Sequence, residues 1–261
     1  MQINIKNYMW KNQELNKFYN HEFDFGNQYK DNYDSWLKAF KDSVKKNAIN
    51  GCCMGLSSGY DSGALSNELI KQSIDFKAYV VFNNENEKVL NERLNNISNH
   101  KILVMDKRLW KNYYNFLKGK INDKAINNKA SMGIAYMFDI AREEGRTIFL
   151  SGQGSDEIYS DYSLFPRQST FKGKYPDKLY EWPNFRGYMQ LEYLNGLEDI
   201  AALYDIEIRY PFLDINLIQE FLWLKVELKN KNYKAPLFEY LTKNNVPFDK
   251  EVKKGFRPIK I

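Results

Sequence analysis

The fold is decided by the stretch Leu-Ser-Ser-Gly-Tyr-Asp-Ser at residues 56–62. An apolar run at 52–54 precedes it, and apolar residues at helical spacing follow it over 64–70. This pattern predicts a buried strand, a tight polar loop and a helix. A loop that leads into a helix presents unpaired backbone N–H groups at the positive end of the helix dipole. The stretch therefore predicts a phosphate-binding loop or, alternatively, an ordinary turn before a helix.

Three side chains of this loop suit a phosphate that carries a metal ion. Ser57 and Ser62 add hydroxyl donors, whereas Asp61 would repel a bare phosphate but suits a Mg²⁺ that a phosphate also binds. The stretch resembles the Ser-Gly-Gly-x-Asp-Ser pyrophosphate loop of the ATP pyrophosphatase superfamily, with Ser58 where that motif usually has its first Gly. It is not a Walker loop, because no Gly-Lys-Ser/Thr follows.

The composition indicates a folded domain in a reducing compartment. Hydrophobic residues make up 43% of the 261 residues, which is enough for a proper core. Cys52 and Cys53 are neighbours in the first predicted strand and should point to opposite faces, so we expect buried thiols and no bond between them. No signal peptide and no apolar run near 18 residues is present, so we expect a cytoplasmic protein that does not enter a membrane.

The net charge of +5 is concentrated near the C terminus. Residues 225–261 contain ten Lys or Arg and four Asp or Glu. Such a segment can bind a polyphosphate or a nucleic acid, or it can simply face solvent. No recognised RNA-binding motif accompanies it, so a nucleic-acid partner is not favoured. His21 and His100 lack ligand spacing, which argues against a zinc site or a Ser-His triad.

The order of the predicted elements indicates an α/β fold. Strands and helices alternate, which predicts a doubly wound parallel sheet with ligands at the carboxyl ends of its strands. Residues 163–190 are predicted to form a long loop, and a helical C-terminal lobe follows. Residues 1–28 are predicted to be an arm with a short strand, and 29–261 one domain. The predicted strands are 52–54, 76–82, 101–105 and 147–150, and the predicted helices are 31–46, 85–97, 132–144, 191–204, 213–228 and 236–242, with 107–130 partly helical.

The fourth predicted strand leads into a second polar loop, Ser-Gly-Gln-Gly-Ser-Asp-Glu at residues 151–157. Two such loops on one parallel sheet can face each other. Asp61 and Asp156 would then form a carboxylate pair suited to Mg²⁺. The alternative is a capping turn in which Asp156 and Glu157 interact with the helix dipole.

Three blocks of the sequence resemble asparagine synthetases. Residues 151–157 with Tyr162 look like the family's Ser-Gly-Glu-Gly-Ser-Asp-Glu…Tyr block, 207–214 like its Glu-x-Arg-x-Pro-Phe-Leu-Asp block, and 253–258 like its Lys-x-Gly-Phe-x-x-Pro signature. Together with the first loop they stand in family order over about residues 29–261. The chain begins about where the family's glutaminase domain would end, so we do not expect it to hydrolyse glutamine itself.

The resemblance implies an AMP-forming amide ligase that uses ATP and Mg²⁺. The family activates a carboxylate by attack on the α-phosphate, releases pyrophosphate, and lets an amine displace AMP. Carried to matching positions, this places Mg²⁺ on Asp61 and Asp156, with pyrophosphate and AMP bound by the two loops and the second strand. The implied nucleotide-binding residues are Leu56, Ser57, Ser58, Gly59, Asp61, Ser62, Val80, Ser151, Gly152 and Gln153. Leu56 and Val80 would equally be core residues.

The resemblance assigns the catalytic roles to the C-terminal half. Lys253 would stabilise negative charge on the α-phosphate and the carboxylate, with Lys254 in its place if the register slips by one. Both also fit a plain surface role. Tyr162, with an acid at Glu198 or Asp199, would orient or deprotonate the acceptor amine. Separately, Glu207 and Arg209 are expected to pair as buried charges beside the site.

One departure leaves the substrates open. Gln153 replaces the family Glu, and a neutral amide can neither take up a proton nor attract ammonium. The acid is aspartate or another small carboxylate. The nitrogen comes from an amine or from ammonia, either free or from a separate glutaminase subunit. A homodimer is compatible with the sequence.

Two other functions compete with the amide ligase. The first is an enzyme that adenylates a nucleobase or a sugar-linked group, in tRNA or polysaccharide modification. The second is a nucleotide-binding module without catalysis, which the joint presence of Asp61, Asp156 and Lys253 disfavours.

Overall fold

The computed structural model describes residues 2–4, 9–12, 17–83, 85–162, 169–249 and 258–259. The chain divides into two compact units, each built from separate stretches of sequence. The first unit comprises Met1–Ser43, Gly152–Leu194 and Tyr210–Thr242, and the second Val44–Ser151, Asn195–Arg209 and Lys243–Ile261. The boundary predicted at residue 28 stays a prediction.

Strands and helices alternate along most of the chain. The strands are β1 (Gln2–Asn4), β2 (Met9–Asn12), β3 (Lys17–Asn20), β4 (Cys52–Gly55), β5 (Phe76–Val81), β6 (His100–Leu103), β7 (Ile148–Leu150) and β8 (Glu207–Arg209). The helices are α1 (Asp34–Asn47), α2 (Tyr60–Lys71), α3 (Glu87–Leu94), α4 (Lys107–Leu117), α5 (Asp123–Asn127), α6 (Ala130–Glu143), α7 (Ser155–Tyr159), α8 (Pro183–Arg186), α9 (Tyr188–Ala202), α10 (Ile215–Leu222), α11 (Val226–Lys229) and α12 (Ala235–Lys243), with a 3₁₀ turn at Pro211–Leu213.

The second unit contains a five-stranded sheet in the order β6-β5-β4-β7-β8, and every neighbouring pair is parallel. The predicted doubly wound α/β fold is thereby confirmed. The first strand of this sheet, β4, has β5 on one side and β7 on the other. The connections therefore reverse direction between β4 and β7, and ligands of such sheets bind at the carboxyl ends of the two strands beside this reversal. These are the strands that lead into residues 56–62 and 151–157.

The central strand is buried on both faces, as parallel strands between helices usually are. Cys52, Cys53 and Met54 have no exposed surface, which explains their continuous apolar pattern. Both cysteines are free thiols, as predicted. Burial raises the pKa of the Cys53 thiol to about 12, so this thiol stays protonated at neutral pH.

The first unit has an aromatic core, which accounts for much of the aromatic content. Trp36 and Phe40, from the predicted apolar stripe of α1, lie with ring centroids 5.6 Å apart. The Phe40 ring stacks on Phe212 at 5.3 Å and meets Tyr240 edge-on at 5.0 Å. The helices of the C-terminal half thus pack around an N-terminal helix within this unit.

Several local predictions differ from the structure. The loop predicted at 163–190 contains α8 and the first residues of α9. The N-terminal arm contains a three-stranded antiparallel sheet of β1, β2 and β3, where one short strand was predicted. The helix predicted at 213–228 is divided into α10 and α11, because the chain between them pairs with Lys30: the Lys30 N–H donates to the Trp223 carbonyl and the Lys225 N–H donates to the Lys30 carbonyl, both at 2.8 Å. β8 was not predicted as a strand. Across the described stretches, no helix is both long and apolar enough to cross a membrane.

Candidate active site

The loop after β4 is closed by its own serines. The Leu56 N–H continues the sheet by donating to the Tyr79 carbonyl at 2.8 Å. The hydroxyls of Ser57 and Ser62 then lie 2.8 Å apart, and the Ser57 N–H donates to Ser62 Oγ at 3.1 Å. Ser62 Oγ also donates to the Ser57 carbonyl and Ser57 Oγ also accepts the Gly59 N–H, both at 3.2 Å. The two hydroxyls predicted to bind phosphate therefore hold the loop together. Asp61 lies in the first turn of α2.

Ser58, which stands in place of the usual glycine, binds a carboxylate. Its N–H donates to Glu85 Oε2 at 2.5 Å and its hydroxyl donates to the same oxygen at 2.6 Å. The hydroxyl also accepts the Asn86 N–H at 3.1 Å. This contact joins the first loop to the start of α3. It also shows that a backbone N–H of the loop is directed toward an anion.

Arg93, on α3, supports the same loop from within the protein. Only 4% of its surface is exposed. Its Nη1 donates to the Ser57 carbonyl and, at 2.8 Å, to the Gly59 carbonyl. Burial lowers the pKa of Arg93 to about 10, against the opposing effect of Glu85 and Asp61, so the guanidinium remains charged at neutral pH. Sequence reasoning missed Glu85 and Arg93, because they lie in the next βα unit and belong to no recognised motif.

Leu56 and Val80 are core residues, with 4% and no exposed surface. Their burial agrees with the expectation that both side chains pack in the core. A role in lining an AMP pocket stays a prediction.

The second loop starts in the second unit and continues in the first. Ser151 is buried, and its N–H donates to the Arg209 carbonyl at 2.9 Å, which extends the pairing of β7 with β8. The following residues belong to the first unit. Gly154 has φ +89°, and a Cβ there would lie 2.1 Å from Leu213 Cδ2. Only glycine fits this turn, because it tolerates both the left-handed backbone and the close contact.

Asp156 is engaged by two side chains of its own unit. Lys234 Nζ lies 2.7 Å from Asp156 Oδ1, and the Tyr233 hydroxyl donates to the same oxygen at 2.8 Å. The Lys234 side chain is 2% exposed, against 25% for Asp156. A second candidate role of Asp156 is therefore to neutralise this buried ammonium. The sequence carried no sign of it, since 78 positions separate the two residues.

The candidate acid–base residues have defined surroundings. The Tyr162 N–H donates to the Asp156 carbonyl at 3.1 Å, and Asn184 donates to the Tyr162 carbonyl. Burial raises the pKa of the Tyr162 phenol, and Asp156 and Glu157 add to the rise. A phenol with a raised pKa is suited to orienting an amine by hydrogen bonding and poorly suited to deprotonating it.

Glu198 and Asp199 lie on the part of α9 that belongs to the second unit, whereas Tyr162 belongs to the first. The Asp199 carboxylate accepts the Asn122 side-chain amide at 2.7 Å, beside the N-terminus of α5. Asp199 therefore has a structural contact as well as its predicted role.

Arg209 Nε and Glu207 Oε1 lie 2.7 Å apart, which confirms that these residues pair. The Glu207 side chain is 61% exposed, however, so the expectation of a buried pair is wrong. β8 is the edge strand of its sheet, and Glu207 points away from the core.

The chemistry of the predicted metal ligands suits Mg²⁺, which prefers carboxylate oxygens. Within the described residues, no group of three or more His, Cys, Asp or Glu side chains could hold a metal ion. Any ion here would take the remaining ligands from phosphates and water, as Mg²⁺ commonly does. Lys253 and Lys254, the predicted catalytic lysine and its alternative, lie outside the described residues.

A match to a family model agrees with the family that the four blocks resemble. No curated protein matches the sequence. A solved structure titled NMN synthetase from Francisella tularensis covers 85% of this chain and 98% of its own, at 14% identity and a TM-score of 0.36. The family model described as asparagine synthase matches residues 35–196, which is more than half of the chain. The match includes both loops, α2, α3 and the whole parallel sheet except β8, and the chain therefore belongs to the asparagine synthase family.

Proposed function

We propose that this protein is an ATP-dependent amide ligase that forms AMP and pyrophosphate. It adenylates a carboxylate, either aspartate or another acid, and transfers the acyl group to ammonia or an amine. One observation carries the proposal. The Ser57–Ser62 loop of an asparagine synthase family member leaves β4 at the reversal of strand order, where such sheets bind their ligands. Family membership supports an ATP-using enzyme of the pyrophosphatase-loop type, and the finer assignment is the proposal.

The proposed reaction has two steps. A carboxylate oxygen attacks the α-phosphorus of ATP, and the bond from that phosphorus to the bridging oxygen breaks, which releases pyrophosphate. The amine nitrogen then attacks the acyl carbon, AMP leaves with its oxygen, and the amine loses a proton. Glu198 or Asp199 accepts this proton, and Tyr162 orients the amine.

The phosphate-binding roles fall on the first loop. The loop N–H groups and the hydroxyls of Ser57 and Ser62 would exchange their hydrogen bonds within the loop for bonds to the pyrophosphate moiety, and Asp61 with Asp156 would hold Mg²⁺. When bound, the ion would neutralise charge on the phosphates. A carboxylate has about four acceptor positions, so Asp156 can serve a metal and Lys234 together. Lys253 stabilises the charge that develops on the α-phosphate.

The test is a carboxylate-dependent exchange of labelled pyrophosphate into ATP. It is run across a panel of acids, with ammonia and with glutamine as nitrogen sources. We expect exchange with one class of acid, and AMP with pyrophosphate as the nucleotide products. ADP and phosphate would overturn the mechanism. Exchange that required tRNA or a nucleotide-linked sugar would indicate the alternative adenylating enzyme.

A pair of matched variants identifies the metal ligand. Asp61→Asn should abolish the exchange, because the amide cannot supply the charge that Mg²⁺ requires. Asp75→Asn, on an exposed turn between α2 and β5, should leave it unchanged. Normal exchange in Asp61→Asn would remove this residue from the metal site.

The location we propose is the cytoplasm. Two buried free thiols suit a reducing compartment.

A further inference from the structure

Arg93 fixes the direction of the peptide groups in the first loop. In a trans peptide the C=O and the following N–H point in opposite directions. The guanidinium binds the Ser57 and Gly59 carbonyls, so the N–H groups of Ser58 and Tyr60 are directed away from Arg93. The Ser58 N–H already meets an anion there, the Glu85 carboxylate. Arg93 thus sets the side of the loop on which an anion can bind.

The same guanidinium also holds a segment near the C terminus. Its Nε and Nη2 donate to the Pro247 carbonyl at 3.0 and 2.7 Å. Pro247 lies beyond α12, six positions before Lys253 in the sequence. The neighbouring Phe248 meets the Tyr60 ring at 4.9 Å, and Asp249 accepts the Asn86 amide at 3.3 Å.

This arrangement requires arginine. Two segments distant in sequence present three carbonyls, and one planar group with five donors reaches all of them. Lysine has a similar charge but offers a single nitrogen, which cannot reach both segments with the same geometry.

Gly63 supplies the space for the guanidinium. A Cβ at Gly63 would lie 2.3 Å from Arg93 Nη2 and 2.4 Å from its Cζ. The guanidinium therefore packs directly against α2, and an alanine at position 63 would have to displace it.

We propose that Arg93 is a positioning residue that couples the first loop to the segment after α12, residues 244–249. Binding of pyrophosphate stabilises the loop, and Arg93 transmits this stabilisation to residues 244–249. This inference rests on the proposed function, because it takes the loop to be the pyrophosphate site.

The experiment measures hydrogen exchange with and without magnesium pyrophosphate. In the unsubstituted protein we expect the ligand to protect peptides that cover residues 57–62 and 244–249. Arg93→Lys should bind about tenfold more weakly, as expected for the loss of a charge-assisted hydrogen bond. In this variant, saturating ligand should protect the loop alone. A purely structural role would change exchange equally in both states and leave the ligand-dependent protection of 244–249 in place.

Two further variants keep the test decisive. Gly63→Ala retains Arg93 but displaces its guanidinium, and alanine favours a helix more than glycine does, so it carries the same test if Arg93→Lys does not fold. Arg108→Lys, at an exposed position of α4, is the control and should behave as the unsubstituted protein. Protection of 244–249 by the ligand in both Arg93→Lys and Gly63→Ala would overturn the coupling. If the unsubstituted protein does not bind magnesium pyrophosphate, this result contradicts the proposed function, and the coupling that rests on it is contradicted as well.

Discussion

Asp156 and Lys234 form an ion pair whose two side chains are buried to different extents. The ammonium is almost fully buried, while a quarter of the carboxylate side chain is exposed. Removing one partner of such a pair costs more than the pair itself contributes, because the remaining buried charge loses its compensation. The proposed metal ligand is therefore also a stabilising residue, and variants at this position alter two properties at once.

Asp156→Asn should lower the free energy of unfolding by about 3 kcal/mol, measured by urea denaturation, and should abolish pyrophosphate exchange. The double variant Asp156→Asn/Lys234→Met removes the buried charge and should recover most of the stability without the exchange activity. Recovery of exchange in the double variant would contradict a metal-binding role for Asp156.

Ser58 is the residue at which this chain departs from the usual loop motif, and its hydroxyl makes two hydrogen bonds. Ser58→Ala should lower the free energy of unfolding by about 2 kcal/mol, since each such bond contributes about 1 kcal/mol net. Ser98→Ala, at an exposed position, is the control. Equal stability of the two variants would show that the hydrogen bonds of the Ser58 hydroxyl contribute nothing.

At the scale of elements, one carboxylate joins two strands to a helix. Glu144 follows α6 and binds the Tyr79 hydroxyl and Lys77 of β5 together with Lys101 of β6. Burial raises the pKa of Glu144, but the hydrogen bonds from Lys101, Tyr79 and Lys77 outweigh this effect and bring the pKa to about 2.

The stability of the protein should therefore depend on this carboxylate at acid pH. The pKa of Glu144 in the folded protein lies below the usual value of 4.5 for a glutamate. The contribution is thus fully present above pH 4.5 and is lost as the pH falls toward 2. We expect Glu144→Gln to unfold more easily than the parent by about 2 kcal/mol at pH 7, and by much less at pH 3. A difference that does not change with pH would contradict the assignment.

The sequence predicts those elements that have a continuous apolar run or a regular helical spacing of apolar residues. β4, β5, β7 and α6 have continuous apolar runs or helical spacing, and all four form. β8 has one buried residue, Ile208, between Glu207 and Arg209, so its three residues carry no strand pattern. Its place is determined by pairing with β7, which only the folded chain shows.

The residues of the candidate site also differ in whether the sequence identifies them. The motifs identify the residues that would touch phosphate, because those residues are contiguous in sequence. Arg93, Glu85 and Lys234 act on the loops from other elements, and no fixed spacing marks them. Sequence reasoning finds the groups that bind a ligand more easily than the groups that hold them in place.

At the scale of the whole molecule, neither unit is continuous in sequence. A chain ended after Leu150 would lack β8 and two of the three segments of the first unit. We expect this fragment to show no cooperative thermal transition by circular dichroism, whereas the full chain unfolds cooperatively. A cooperative transition in the fragment would show that the first four strands of the sheet fold by themselves.

The late position of β8 has a consequence for synthesis on the ribosome. Four strands of the parallel sheet emerge first, and about sixty more residues must be translated before β8 follows, at elongation rates of about 5–20 residues per second. During these seconds β7 has no β8 to pair with, so the backbone N–H and C=O groups on that side of β7 are unpaired. The nascent chain therefore carries unpaired strand groups while it is still being made, and these groups favour association with other chains.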